Sequence, residues 1–259
     1  MADFGNTFER LERKYLITGD VADQIRAYVE PFCSPDRFNP SHGGYAIYSL
    51  YLDTPAYEFH EAWRRGDADR LKLRVRTYGR TGPAFLEVKR KTGDIVSKTR
   101  VAIARESVAE AVAGFGVPLK PSAEAQHHLD AFAYWTSRTG AEPAVLVAYT
   151  REAFVSTIDN YARLTFDRDI RVQAVTDWHL LGLADEPWVT VDDAALYDDL
   201  QSPTVLELKC ESMMPDWMAH LVRRLELKYR GFSKYGHGID IMRSAARGLD
   251  VSQLWGLYA

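Results

Sequence analysis

The chain has 259 residues, 46% hydrophobic and 26% charged, enough for a sizeable core in one large domain or two small ones. Its formal net charge of -4 argues against a globally basic nucleic-acid binder but allows a local basic site, because net charge carries no information about distribution. The only cysteines, Cys33 and Cys210, are far apart and form neither a metal-ligand nor a disulfide pattern.

The opening stretch "MADFGNTFERLERKY" holds no apolar run, so no signal peptide is expected. No later segment reaches the length of a membrane-spanning helix, and a reducing cytoplasm is the expected setting. Residues 9–17 alternate polar and apolar side chains and are read as a strand. A helix follows over 18–30, with Thr18 or Asp20 as cap and Pro31 as stop. "PDRFNPSHGG" at 35–44 is a loop. Strands are expected over 45–53, 68–77, 84–91 and 97–105, with helices over 55–64, 105–114 and 122–138. "KTGD" at 91–94 supplies a hairpin turn, as does "IDN" at 158–160 between strands 145–157 and 161–169. The acidic stretch 173–200 has no assignable period. A strand over 203–211 and a helix over 215–229 complete the reading, the helix having Pro215 at its start and Gly231 beyond its end. With no repeat and no linker, a single domain over 1–259 is expected.

"RLKLRVRTYG" places Arg70, Lys72, Arg74 and Arg76 on one face of its strand and Leu71, Leu73 and Val75 on the other. The pattern recurs. Arg10, Glu12 and Lys14 share a face, as do Glu87, Lys89 and Lys91, then Lys98 and Arg100, and then Glu207, Lys209 and Glu211. Arg151 and Arg163 occupy the two strands between. Two architectures fit. A sandwich would bury the apolar faces and solvate the charges. A closed barrel would turn the charges inward and cover its apolar outside with helices. Amphipathic helices need an apolar surface to cover, and solvated faces mix charge signs more evenly than these do.

Cations converging on one cavity repel strongly unless water, acids and a highly anionic ligand share it. Arg offers a planar fork to phosphate oxygens and Lys a compact point charge. Glu207, Glu12 and Glu87 are candidates to hold a divalent cation such as Mg²⁺ or Mn²⁺ through oxygen. There is no Gly-rich phosphate loop, so side chains must hold any phosphates. Nucleic acid is not expected, because aliphatics rather than aromatics interleave with the basic positions. Tyr48, Tyr51 and Trp63 are read as core, and His127 and His128 as surface or packing residues on a helix.

The segments "RLERKYLI", "YSLYLDT", "RLKLRVRTYG", "FLEVKRK", "SKTR", "YTREAF", "ARLTFDRDI", "VLELK" and "GFSKYGHGI" stand in the order of the vacuolar transporter chaperone (VTC) domain. The chain thus resembles the polyphosphate polymerase branch of the triphosphate tunnel metalloenzymes, related to the CYTH domains, from Phe8 to Ile239. The resemblance implies an α+β fold: an eight-stranded antiparallel β-barrel tunnel with a cationic interior and helices outside. It implies that Arg74, Arg76, Lys89, Arg151 and Arg163 act on the transferred phosphates, that Lys14, Lys98, Arg100, Lys209 and Lys234 bind phosphate, and that Glu207 holds metal. Arg90 has the wrong parity for such a tunnel. The implied reaction extends inorganic polyphosphate at the expense of ATP. A triphosphate or polyphosphate hydrolase and a non-catalytic polyphosphate-binding module are the alternatives. Relatives of this kind can work beside membrane proteins. The CYTH branch begins E-x-E-x-K, whereas this chain has Arg10, Glu12 and Lys14, which weakens a second carboxylate-bound metal site.

Overall fold

In the computed structural model, which describes residues 11–39, 43–114, 122–159, 161–194, 202–211 and 213–247, each of the eight expected strands is present. They are β1 (Leu11–Ile17), β3 (Tyr45–Asp53), β4 (Asp69–Tyr78), β5 (Ala84–Thr92), β6 (Ile95–Ile103), β7 (Glu142–Ser156), β8 (Ala162–Ala174) and β10 (Thr204–Cys210). Two short strands escaped the periodicity, β2 (Cys33–Pro35) and β9 (Val189–Thr190), each too brief to show an alternation. The strands follow the order β1-β10-β8-β7-β3-β4-β5-β6, with β2 on β7 and β9 on β8. Every defined register is antiparallel. With the helices, this is the expected α+β fold on an eight-stranded antiparallel sheet.

Five helices lie near their expected positions: α1 (Gly19–Val29), α2 (Glu58–Arg65), α3 (Val108–Val112, after a 3-10 turn at Arg105–Ser107), α4 (Ala123–Thr139) and α5 (Asp216–Arg224). Thr18 is the cap of α1, its side chain accepting from the Val21 amide. The helix expected over 215–229 stops five residues early, because Glu226 takes a left-handed φ of 48° and turns the chain away. A sixth helix, α6 (Lys234–Ala246), had no expected counterpart, and the two glycines of "KYGHG" are locally unfavourable to a helix. Gly236 is needed there for space. A Cβ at that position would overlap the Trp63 ring of α2.

The chain divides into two compact units. The first comprises Met1–Tyr45, Thr150–Asp169 and Asp192–Phe232. In it one sheet face presents Tyr15, Ile17, Leu164, Phe166, Leu206 and Leu208 to α1 and α5, which contribute Ile25, Val29, Trp217, Met218 and Leu221 to the core. Full burial of such side chains contributes about 1.5–3 kcal/mol each. The opposite face carries Glu12, Lys14, Arg163, Glu207 and Lys209.

The second unit comprises Ala46–Tyr149, Ile170–Val191 and Ser233–Ala259. Its apolar face presents Leu71, Leu73, Val75, Leu86, Val88, Val101 and Ile103 to Phe59 of α2, Val108 and Ala111 of α3, and Leu129 and Phe132 of α4. The other face carries Lys72, Arg74, Arg76, Lys89, Lys98 and Arg100. In each unit, therefore, helices cover the apolar face, and the polar face is not simply the outside of a sandwich. Within the second unit, residues 173–186 of the acidic stretch are held by Gln173, whose Nε2 donates to Leu183 O (2.9 Å) and Glu186 O (2.7 Å) while Oε1 accepts from the Leu183 amide (2.7 Å), and residues 195–200 lie outside the described residues. The reading of Arg10 lies outside the described residues.

Candidate functional site

In the second unit the register of β4, β5 and β6 sets cations side by side. Lys72 stands opposite Lys89, and Lys89 opposite Lys98. One rung along, Arg74 stands opposite Glu87, and Glu87 opposite Arg100. Like charges directly across strands are destabilising, so the lysine rung is a costly arrangement for a sheet that needs only to fold. Glu87 is the acid among them, 2% exposed, and receives both Nε and Nη2 of Arg74 on Oε2. Its Oε1 faces Arg100 Nε at 3.4 Å and Lys98 Nζ at 3.6 Å. Burial pushes the Glu87 carboxyl up, but Arg74, Arg76 and Lys98 outweigh it and hold the group at about 2.

Two residues of β3 complete this face. Arg76 Nε donates to Ser49 Oγ (3.2 Å), and Arg74 Nη1 donates to the Tyr51 hydroxyl (3.1 Å). Tyr51 is buried, as its sequence suggested, but on the polar side of the strand. Tyr48, Leu50 and Leu52 take the apolar parity of β3, and Tyr51 takes the other. The end of β3 is tied to two helices. Asp53 Oδ1 accepts from the Thr54 and Phe59 amides, Oδ2 from the His60 amide, and Oδ2 also from the Tyr235 hydroxyl of α6. Lys234, next to Tyr235 at the start of α6, places its Nζ 4.7 Å from the centroid of Tyr149 on β7. Lys72 Nζ donates to Ser233 Oγ (3.3 Å).

In the first unit β1, β10 and β8 build a second polar face. Lys14 is opposite Glu207, and Glu12 is opposite Lys209, which is opposite Arg163. Lys209 Nζ lies 2.5 Å from Glu207 Oε1 and 3.6 Å from Glu12 Oε2, and Lys14 Nζ lies 3.5 Å from Glu12 Oε1. Lys14 Nζ also donates to Phe232 O (3.2 Å). Burial disfavours charge on Glu207, yet Lys209, Lys14 and Arg151 keep its carboxyl well below the usual carboxylate range. Arg151 forks onto Asp167, and Arg163 Nη2 reaches Asp36 Oδ2 at 2.5 Å.

Lys14, Glu12, Arg151, Arg163, Glu207 and Lys209 thus gather on the polar face of the first unit. Arg74, Arg76, Glu87, Lys89, Lys98 and Arg100 gather on that of the second, which also contains Lys234. Arg90 points to the helix side, with its guanidinium 5.0 Å from the Trp135 ring centroid and paired to Asp69. His128 is bonded through Nδ1 to Arg100 O (3.0 Å), and His237 packs edge-on to Trp63. Sequence reasoning missed the acids that hold Arg151 and Arg163. Asp167 had a signal, since it shares strand parity with Arg163. Asp36 had none, because it sits in a loop without period.

Among the described residues no three or more His, Cys, Asp or Glu side chains cluster to hold a metal ion by themselves. The donor set fits a hard cation with few protein ligands. Glu207 Oε1 is buried and makes no hydrogen bond of good geometry, although the Lys209 ammonium lies against it. Mg²⁺ is commonly held by one or two carboxylates, with substrate phosphates and water supplying the rest. Glu87 Oε1 is likewise buried without a hydrogen bond, while Oε2 is taken by Arg74, and Lys98 and Arg100 face Oε1.

A family model described as the VTC domain matches residues 9–243. The chain belongs to the VTC domain family. No curated protein matches its sequence. Among solved structures, it is similar to a putative adenylyl cyclase from Hippeastrum described as having a dominant triphosphatase activity (15% identity, 92% of this chain and 96% of that one, TM-score 0.46). It is also similar to putative adenylate cyclases from Bacillus halodurans (10% identity, 87% and 94%, TM-score 0.46) and Vibrio parahaemolyticus (13% identity, 89% and 97%, TM-score 0.44). Likenesses this distant bear on neither activity nor site. No helix among the described residues is long and apolar enough to cross a membrane.

Proposed function

We propose that this protein is a cytoplasmic polyphosphate polymerase that transfers the γ-phosphoryl group of ATP to a growing inorganic polyphosphate chain, and that residues 1–259 form one VTC domain. The observation that carries this reading is the in-register cationic face of β4, β5 and β6 opposite the helices of the second unit, in a chain whose family match runs from 9 to 243. Such faces suit phosphoryl transfer, which asks a protein mainly for positioning and charge neutralisation.

Arg74, Arg76, Lys89, Arg151 and Arg163 bind and orient the phosphoryl oxygens. Lys14, Lys98, Arg100, Lys209 and Lys234 hold the flanking phosphates. A terminal phosphate oxygen of the polymer forms the new bond to the γ-phosphorus. The bridging P–O bond to the β-phosphate breaks, and ADP leaves with the electron pair. No general base is required, because the attacking oxygen is already ionised. A divalent cation, Mg²⁺ or Mn²⁺, supplies further charge neutralisation on phosphate oxygens when bound. Glu207 would hold it, with Glu12 linked to Glu207 through Lys209.

The test is to incubate the purified protein with ATP and Mn²⁺ or Mg²⁺ and to resolve long polyphosphate from free phosphate. Chain growth with ADP release is the expected result. Free phosphate alone would make the protein a hydrolase, and neither product would leave a binding module.

A further inference from the structure

Tyr51 has an unusual position for a phenol. It lies on the polar face of β3 and is 7% exposed. Its hydroxyl makes one hydrogen bond among the described residues, and there it is the acceptor, from Arg74 Nη1 at 3.1 Å. Arg74 has five N–H donors in a fixed fork. Glu87 takes the Nε and Nη2 donors, so Tyr51 fixes the remaining arm of the fork.

The groups facing Tyr51 are mainly cations. Lys72, Arg74 and Arg76 come from β4 and all act on it. The nearby carboxylates are engaged elsewhere: Glu87 on Arg74, and Asp53 on three amides and the Tyr235 hydroxyl. The Tyr235 ring is 5.0 Å from that of Tyr51, and Tyr149 of β7 also acts on Arg74. No acceptor holds the Tyr51 proton, while cations surround its oxygen.

We propose that Tyr51 is a positioning residue for Arg74 that sets the charge of this anion-binding face. As a phenol it aims the guanidinium and leaves the face cationic. As a phenolate it pairs with Arg74, cancels one positive charge and repels phosphate. The electrostatics agree in direction. Burial pushes the Tyr51 hydroxyl up, and Arg74, Arg76 and Lys72 pull it down by more, to about 7. Anion binding should therefore weaken as pH rises through neutrality, and a bound polyanion should draw a proton back onto Tyr51. This inference rests on the reading of the face as a phosphate site.

The experiment measures tripolyphosphate binding by calorimetry in metal-free buffer from about pH 6 to about pH 9, for wild type and Y51F. The ligand's own protonation is common to both proteins and cancels in the comparison. Wild-type affinity should fall relative to Y51F by up to about tenfold per pH unit above the midpoint. The tyrosinate absorbance of wild type minus Y51F should titrate near neutrality, a difference needed because the chain has 14 tyrosines. Parallel binding profiles with no neutral tyrosinate difference would overturn the proposal. If wild type binds no tripolyphosphate, the phosphate-site reading fails, and the spectroscopic difference still decides the ionisation of Tyr51. Should Y51F not fold, R74Q replaces it: a neutral tyrosinate step in wild type that moves to higher pH in R74Q supports the assignment, and its absence from wild type overturns it.

Discussion

Arg151 and Asp167 meet fork to carboxylate, with Nε 2.6 Å from Oδ1 and Nη2 2.7 Å from Oδ2, and Asp167 is fully buried. Arg151 also lies 4.0 Å from Glu207 through Nη2, so its orientation bears on the residue proposed to hold metal. An arginine held in this way is pre-organised for a bidentate partner instead of sampling rotamers. D167N would leave Arg151 half-paired in a buried setting, where breaking an ion pair costs about 3–5 kcal/mol. The expected outcome is that loss in urea unfolding, together with a drop of about tenfold or more in tripolyphosphate affinity from the misaimed guanidinium. Unchanged stability would show that the pair is not held in solution.

Glu207 separates binding from turnover. E207Q keeps the shape of the side chain and removes the charge available to a cation. Turnover of ATP with Mg²⁺ or Mn²⁺ should be abolished. Tripolyphosphate affinity in metal-free buffer should stay within about an order of magnitude, since Lys14, Lys209 and Arg151 remain. An active E207Q protein would remove Glu207 from the metal assignment.

Glu87 gives a stability signature at low pH. Its carboxyl is depressed from 4.5 to about 2 in the folded protein. A depressed acid contributes stability that is complete above its unfolded pKa and is lost as pH falls through the folded one. The window therefore runs from about pH 4.5 down to about pH 2, and the contribution is on the order of 3 kcal/mol. Unfolding free energy measured across that window should decline in wild type and decline less steeply in E87Q. E87Q should also be the less stable protein at neutral pH, because Arg74, Lys98 and Arg100 lose the acid they share. Matching slopes would mean that Glu87 is not held by its cations.

The strands were legible because a half-buried sheet imposes a period of two, and the eight long ones all announced it. That same period assigned Leu73 and Val75 to one face and Arg74 and Arg76 to the other. It could not say which face the helices cover. Ordered family motifs settled that expectation, and α2, α3 and α4 packed on Leu73 and Val75 bear it out. What the sequence concealed were partners brought in from elsewhere in the chain. Asp36 meets Arg163 across 127 positions and Tyr235 meets Asp53 across 182, distances at which no local pattern operates. Tyr51 is buried as an aromatic in a hydrophobic run suggests, and only its parity beside Leu50 and Leu52 told that its hydroxyl would meet Arg74.

Helix α6 depends on its glycines in a way that can be tested by suppression. A Cβ at residue 236 would overlap the ring of Trp63, which also packs against His60 at 5.8 Å and His237 at 5.7 Å. Glycine inside a helix ordinarily costs about 1 kcal/mol relative to alanine, so the substitution would be stabilising if the space were open. G236A should instead destabilise by about 1–3 kcal/mol, the usual range for overpacking. Because Lys234 and Tyr235 begin the same helix, the displacement should also lower tripolyphosphate affinity. Trimming the obstacle with W63L in the G236A background should recover a part of the loss, although W63L alone opens a cavity and destabilises. Thermal unfolding of the two single variants and the double variant measures the coupling directly. Additive effects would mean that residue 236 and the Trp63 ring do not meet.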